Sequence, residues 1–511
     1  MESKSKSTVL TLAISILNSV LLVLFNLIYN NLVIRYFGSS INGLISTLNQ
    51  FVSLFSIIEG GFTTAAVVAT YEPMVRSDYS RLNSILHTTR KIYLQIGTAI
   101  SCCVLVFGSI YILFIDSPLG YGKTYLLLLI STLSMAFSLC FLSKYSVLLQ
   151  GANKEYIQVG LSLLSRTVSW GISIILILLD RGIIVVFSVN VLNVLVNILF
   201  VRRYEKKHFK MINYKGKFDK ELIPGTGDII FQKIANTIFT STDLVLISTL
   251  ISLSFASVYA LYYQVFKAVL TLLSSITQAP FNSFGQLAKE NNREKLEDYF
   301  NIYQYIVMIV STVVLSVTAS LIIPFVKVYT LEITDFNYVY PSLAILFFMQ
   351  IYAQIINRPY GTILNATGNF RMQNFQCVIA VITNLLVSVA FIHWIGINSI
   401  ILGSFVGTMI ILVMNIYQAY SKVLKSNCFR VVKNIILNFI LSILIIMINI
   451  LIGITPTNYI SLLLFAFIIG IVETLSIMLF NYIFDRKEMK GAMRFLEQRW
   501  KEYRIKKTIY N

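Results

Sequence analysis

Fourteen long apolar runs leave this chain little room for anything but membrane-spanning helices. They fall at 9–34, 41–69, 92–115, 124–147, 156–179, 182–201, 229–252, 255–282, 302–327, 340–364, 374–396, 398–420, 434–454 and 459–483. A hydrocarbon layer about 30 Å thick is crossed by about 20 helical residues, and within it a backbone must satisfy its own hydrogen bonds. Charged residues make up only 13% of the 511 positions and hydrophobic residues 56%, which excludes a soluble globular enzyme and a disordered chain. The first run follows Lys4 and Lys6 as a secretory signal would. Its apolar stretch is far longer than a signal core of about 7–15 residues and no small-residue cleavage site follows, so it reads as a retained first helix.

Orientation follows from where the positive charges lie. Lys and Arg number 41 against 23 Asp and Glu, a net charge of +18. With the N-terminus inside, the inner segments carry 33 of the 41, and the outer loops only Arg35, Lys123, Arg181 and Lys327. The other four, Arg166, Lys233, Lys267 and Arg358, fall inside apolar runs. This positive-inside bias places both termini in the cytoplasm and accounts for the basic charge without nucleic acid.

The longest inner segment, 202–228, is strongly basic and ends in a Pro-Gly turn signal. The expected organisation is a six-helix lobe over 8–203, a cytoplasmic linker over 204–228, a second six-helix lobe over 229–420, two further helices within 434–483 and a basic amphipathic tail over 485–511. In that tail Met489, Met493, Leu496, Trp500 and Tyr503 recur at helical spacing opposite Lys and Arg, a pattern suited to anionic headgroups. The fold class is thus all-α integral membrane, about 14 transmembrane helices in two pseudo-symmetric six-helix lobes plus two C-terminal helices.

An internal repeat supports the two lobes. At an offset of 215, the segment YSVLLQGANKEYIQ from Tyr145 to Gln158 aligns with YGTILNATGNFRMQ from Tyr360 to Gln373. Asn31-Leu-Val in the first run parallels Asp243-Leu-Val in the seventh. Six helices followed by six in the same sense is the parallel-repeat plan of two-lobed transporters, whose substrate site lies between the lobes.

No soluble-enzyme constellation survives. Gly122-Lys123-Thr124 has the end of a phosphate-binding loop, but Ser117 stands where its first glycine belongs. The five cysteines and three histidines lack metal-ligand spacing. Short outer loops disfavour a membrane glycan polymerase.

Polarity inside helices is costly and therefore informative. Polar stripes at helical spacing run along six helices. They comprise Ser15, Asn18, Asn26 and Asn30 in the first; Ser46, Asn49, Ser53, Ser56, Glu59 and Thr63 in the second; and Gln158, Ser162, Ser165, Arg166, Ser169 and Ser173 in the fifth. The seventh carries Gln232, Asn236, Thr240 and Asp243; the eighth Tyr259, Tyr263, Lys267, Thr271, Ser274 and Gln278; and the tenth Gln350, Gln354, Arg358, Gly361 and Asn365. Lipid cannot satisfy such stripes, so they face protein or water. The first, second, seventh and eighth helices occupy equivalent places in the two halves, and together they suggest a hydrated cleft between the lobes.

Arg166, Lys267 and Arg358 outnumber Asp243 and Glu59 there, and a cationic cavity favours an anionic cargo such as a diphosphate. The competing structural readings are an ion pair of Arg166 or Lys267 with Asp243 or Glu59, snorkelling or a Pro359 kink at Arg358, and an interface anchor at Lys233. The candidate substrate-binding residues are Arg166, Lys267, Arg358, Lys233, Tyr259 and Tyr263, the tyrosines (with Tyr262) offering faces to sugar rings. The candidate ion-coupling residues are Asp243 and Glu59. Glu473, in the fourteenth run and outside the repeat, reads as structural.

The segments LIYNNLVIRYFGSSINGLISTLNQF, IIEGGFTTA, LLQGANKEY, LNATGNF and DLVLIS resemble the polysaccharide-transporter branch of the multidrug/oligosaccharidyl-lipid/polysaccharide (MOP) exporter superfamily. The resemblance spans about residues 8–483 and takes in Wzx-type and teichoic-acid-type flippases. It implies a non-enzymatic, rocking two-lobed transporter in the bacterial cytoplasmic membrane. Such a transporter turns undecaprenyl-diphosphate-linked oligosaccharide of a capsule, O-antigen or teichoic acid from the inner to the outer leaflet. It implies no cofactor beyond H+ or Na+ as coupling ion. Its partners would be the lipid-linked oligosaccharide, membrane lipids and other glycan-assembly membrane proteins. Fourteen helices match lipid II flippases and some polysaccharide members. The alternatives are a cation-coupled multidrug or metabolite exporter of the same superfamily and, in the enzymatic class, the glycan polymerase.

Overall fold

The computed structural model describes residues 4–219, 241–278, 280–289, 293–367, 370–453, 456–495 and 497, and no strand occurs among them. The apolar runs become helix where their residues are described, the seventh over 241–250 alone. In chain order these are α1 (Lys4–Phe37), α2 (Ser39–Arg76), α3 (Tyr79–Ile112), α4 (Gly120–Phe137), α5 (Ser143–Gly151), α6 (Glu155–Leu178) and α7 (Ile183–His208). After the linker come α8 (Ser241–Leu250), α9 (Leu253–Gln278), α10 (Phe281–Lys289), α11 (Arg293–Tyr329), α12 (Pro341–Ala366), α13 (Phe370–Ile395), α14 (Asn398–Gln418), α15 (Phe429–Ile452) and α16 (Tyr459–Phe484). A final helix, α17, covers 486–495. Eleven of the described helices are long and apolar enough to cross a membrane. The chain is a multi-pass membrane protein.

Several helices outrun the bilayer: α2 has 38 residues, α3 34 and α11 37. About 20 suffice to cross, so these helices extend beyond the hydrocarbon layer. Two helices are locally underwound by π-turns, Ser138–Leu142 joining α4 to α5 and Ala419–Leu424 ending α14. Such a bulge redirects the side chains beyond it without breaking the helix.

The chain forms two compact units, residues 1–260 with 332–336, and residues 261–331 with 337–511. Within each the packing plan is the same. In the first, α3 packs on α4, α4 on α7 and α6 on α7; in the second, α11 packs on α12, α12 on α14 and α13 on α14. The first unit has a core of Leu44, Leu48, Val104, Leu127, Leu128 and Phe187, all buried. In the second, Phe347 and Phe348 of α12 meet Phe266 of α9 and Phe439 of α15, with centroids 5.6 and 6.0 Å apart.

The first part of the linker is strapped over the N-terminal end of α3. Asn83 Nδ2 donates to the Met211 carbonyl (3.1 Å), and Asn83 Oδ1 accepts from the backbone amides of Asn213 (2.8 Å) and Tyr214 (3.2 Å). The Asp219 amide donates to Thr88 Oγ1 at 3.1 Å. Gly216 lies against the backbone of Ser84, where any Cβ would collide. Lys144 sits between the rings of Tyr145 and Tyr214, 4.7 and 4.8 Å from their centroids. Burial, reinforced by Glu205 nearby, pushes the Tyr214 phenol above its ordinary pKa.

In the tail, α17 buries Met489 and Ala492, and Phe495 packs edge-on against Tyr299 of α11, 5.8 Å between centroids. Met493, expected on the apolar face, is exposed. This turn of the tail docks on protein, because its apolar stripe runs through Ala492 and Phe495 and not through Met493. The side chains of Leu496, Trp500 and Tyr503 lie outside the described residues.

Candidate functional site

The α6 stripe resolves into packing plus one cation. Ser165, Ser169, Ser173 and Ile177, at intervals of four, are its buried residues. Small side chains at that interval let neighbouring helices approach closely. Asn197 of α7 donates to Ser162 Oγ at 3.0 Å, and Gln158 donates to Ser146 Oγ of α5. Of the two surroundings such a stripe can have, these residues face protein. Arg166 remains half-buried beside the serine seam, one turn from Trp170, which stacks on Phe25 of α1 at 4.6 Å. Among the described residues Arg166 makes no ion pair.

Across the α8–α9 turn, two residues singled out for different roles meet. Tyr259 donates its hydroxyl proton to Asp243 Oδ2 at 2.7 Å, and both are buried. The Tyr259 ring therefore offers no face to a sugar in this conformation, nor does Tyr262, whose hydroxyl donates to the Tyr338 carbonyl at 3.0 Å. Farther along α9 the buried face, with Phe266, packs on α12, and the opposite face carries half-buried Tyr263 and exposed Lys267 and Thr271. The Lys267 ammonium stands 5.1 Å from the Tyr263 ring centroid, a cation–π contact. A lysine open at this depth has to face water or a polar ligand, because hydrocarbon would not tolerate it.

The most informative element is α12. From Gln350 to Asn365 it is buried on every side except at Gln354, Asn357, Arg358, Gly361 and Asn365, one stripe at 3/4 spacing. Asn357 Oδ1 accepts from Asn415 Nδ2 of α14 at 2.8 Å. Gln350 Oε1 and Asn365 Oδ1, at the two ends of the stripe, are buried acceptors without a protein partner. A helix packed elsewhere by aromatic and aliphatic residues, whose single opening is amide, glycine and guanidinium, lines a polar space. Arg358 and Lys267, both in the second unit, make no ion pair among the described residues. Among the described residues, the structural alternative of an ion pair with Asp243 is not adopted by Arg166. Lys233 lies outside the described residues, as does the Glu59 side chain, although its backbone belongs to α2.

Sequence reasoning missed a clasp built by the start of α2. Asn42 Nδ2 donates to Ser257 Oγ (2.7 Å), Ser40 and Ser254 hydroxyls meet at 2.8 Å, and Tyr111 and Ser248 hydroxyls at 2.5 Å. Asp335 caps α2, accepting from the Ser39 amide at 2.7 Å and the Ser39 hydroxyl at 2.9 Å, and Arg35 pairs with Glu332. A Cβ on Gly43 would overlap the Leu253 carbonyl oxygen, so glycine there lets the first turns of α9 touch the α2 backbone. The signal was available: the partners Asn42 and Ser257 are separated by 215 residues, the repeat offset.

Two helical units with the same packing plan recur in solved structures. An inward-facing multidrug resistance MATE family transporter of the MOP superfamily superposes with a TM-score of 0.65 at 13% identity, covering 78% of this chain and 94% of its own. The lipid II flippase MurJ, in an inward closed conformation, superposes at 0.64 and 14% identity, covering 93% of this chain and 99% of its own. A MATE transporter of Vibrio cholerae, VcmN, superposes at 0.54 and 14% identity, covering 84% of this chain and 99% of its own. No family model matches the sequence. No curated protein matches it either. The chain has the fold of MOP-superfamily exporters. The superposition on MurJ covers more of the chain than α1 to α14 supply, so it reaches into the last two helices.

Proposed function

We propose that this protein is a flippase of the bacterial cytoplasmic membrane. It carries undecaprenyl-diphosphate-linked oligosaccharide, a repeat unit of capsule, O-antigen or teichoic acid, from the inner to the outer leaflet by alternating access. The observation that carries this reading is the polar opening of α12 around Arg358. Arg358 with Lys267 gives the second unit two membrane-embedded cations that no carboxylate among the described residues neutralises, and a diphosphate is the ligand such cations stabilise best. Arg166 adds a third in the first unit. The polyprenyl tail stays in lipid while the headgroup follows the polar stripes, and cargo charge neutralises the cations as the transporter closes. The buried Asp243–Tyr259 pair is the candidate coupling element: taking up H+ or Na+ at Asp243 weakens its bond to Tyr259 and shifts α8 against α9.

The test is translocation of labelled lipid-linked oligosaccharide into proteoliposomes. Arg358→Ala, Lys267→Ala and Arg166→Ala should each lower it at unchanged expression; full activity in all three would sink the anionic-cargo reading. Asp243→Asn should remove the dependence of transport on pH or sodium. The MATE superpositions give the multidrug reading equal standing by fold. Drug resistance conferred on expression, without glycan translocation, would select it.

A further inference from the structure

Glu473 lies about 20 Å by helical rise from the start of α16, near mid-membrane, and is buried. Its Oε1 accepts from Ser320 Oγ of α11 at 2.7 Å and from Asn449 Nδ2 of α15 at 2.8 Å. Asn449 Nδ2 also donates to Ser320 Oγ at 3.0 Å, which closes a triangle among the three helices. Oε2 is equally buried and has no partner.

The charged and titratable groups on the neighbouring elements are remote. On α11 the titratable groups nearest Ser320 are Lys327 and Tyr329, about two turns along, and Tyr305, about four turns back, whose hydroxyl belongs to a separate network and donates to Asn481 at 3.4 Å. On α15 the described charged groups nearest the membrane are Arg430 and Lys433 at its cytoplasmic start, and Arg430 pairs with Asp485 at 2.8 Å. On α16 itself there is no other charged residue.

An ionised carboxylate at such a place, with two neutral donors on one oxygen and nothing on the other, carries a heavy desolvation penalty. A metal cation would need several further oxygen ligands, and only Ser320 and Asn449 supply polar atoms here. We infer that Glu473 is a proton-binding site of this membrane protein, with the proton on Oε2, and that its occupancy sets the packing of α15 and α16 against α11. With the proton bound, the seam is neutral and closed. Without it, Oε1 and Oε2 share a charge that requires water, and admitting water separates α16 from Ser320 and Asn449. The site is independent of the cargo and of Asp243.

The experiment uses the full-length protein in liposomes and reads the carbonyl stretch of protonated carboxyl groups by infrared difference spectroscopy between pH 5 and 9. A band present in the wild type and absent from Glu473→Gln is expected; glutamine preserves the side-chain shape and the acceptor oxygen. In Asn449→Ala the same band should titrate about one pH unit higher, a tenfold tighter hold on the proton, because a donor to the carboxylate is lost. Dicyclohexylcarbodiimide, which attacks protonated carboxyls in apolar surroundings, should modify Glu473 in the wild type at least tenfold faster at pH 6 than at pH 9. Identical bands in the wild type and Glu473→Gln, or a Glu473 band that sodium abolishes at fixed pH, overturn the inference. Should Glu473→Gln fold poorly, a band unmoved in Asn449→Ala and pH-independent carbodiimide modification overturn it equally. None of these outcomes bears on whether the cargo is a lipid-linked glycan.

Discussion

The helix ends that flank the turn from α5 into α6 repeat in those that flank residues 368–369 between α12 and α13, and the two copies differ where the chemistry sits. Gln158 donates across the first turn to Ser146, and Gln373, 215 positions on, donates across the second to the carbonyl of Gly361 at 3.5 Å. Tyr145 and Tyr360, also equivalent, both pack edge-on against another ring, Tyr214 at 6.2 Å and Phe300 at 5.7 Å. The cations do not recur. The equivalent of Arg358 is Ser143, that of Arg166 is Val381, and that of Lys267 is Val52. Positions that hold the helices together repeat, and positions that charge the interior are unique to one copy. A cation with a symmetric twin would be explicable as scaffold; one without a twin is kept for something the scaffold does not need.

The sharpest way to break this comparison is to lock the clasp, where repeated positions face each other. Ser40→Cys with Ser254→Cys replaces hydroxyls 2.8 Å apart, a spacing that suits a disulfide. Oxidation should stop translocation entirely and a reductant should restore it. A fully cross-linked protein that still transports would show that the α2–α9 contact need not part.

The next largest effect separates unique from repeated positions. Arg358→Ala and Lys267→Ala should each reduce translocation by roughly ten- to a hundredfold, the worth of one charge-assisted hydrogen bond or two. Ser143→Ala and Val381→Ala, at the twin positions, should stay within about twofold. Equal losses at a cation and its twin would dissolve the distinction.

Helix number and the repeat were legible in the sequence because apolar length and motif spacing are one-dimensional signals. The sequence also singled out Asp243, Tyr259, Lys267 and Arg358. It could not tell which stripe faces water, since Ser165, Ser169 and Ser173 have the same spacing whether they admit a cavity or a neighbouring helix; only burial separates the cases. Nor did it foresee the meeting of Asp243 with Tyr259, because that bond crosses a turn. The polar seam of α15 and α16 was invisible for a related reason. Asn438 and Asn481 exchange amide hydrogen bonds at 3.1 and 2.8 Å, yet in sequence each is one polar residue in an apolar helix. The end of α2, the short α10 and the π-turns were missed because charged helical ends and bulges leave no hydropathy mark.

A smaller effect tests the repeated glutamines. Gln158→Leu and Gln373→Leu each remove a hydrogen bond across the turn between two helices, worth about 1 kcal/mol. Thermal unfolding in detergent reads both, and a loss confined to Gln373 would argue against equivalent turns.

The smallest effect lies at the cytoplasmic ends, which the two units tie down by different means. In the first, Asn83 holds three backbone groups of the linker, and His87 Nδ1 holds a fourth, the Tyr214 carbonyl, at 2.8 Å. In the second, Arg293 of α11 donates to the carbonyls of Leu424 and Lys425, each at 2.6 Å, where the α14 π-turn has left them without helical partners. Asn83→Ala abolishes three bonds, but His87, Thr88 and the seat of Gly216 on Ser84 remain. The strap should therefore open locally at a cost of about 1–3 kcal/mol while the helices stay packed. Trypsin cleavage after Lys215 and Lys217 should accelerate about tenfold, with the thermal midpoint nearly unchanged. Arg293→Ala should leave those sites as slow as in the wild type and loosen 419–425 instead. Faster linker cleavage in both variants would mean that the strap responds to the helical bundle as a whole, because no bond described here joins Arg293 to the linker.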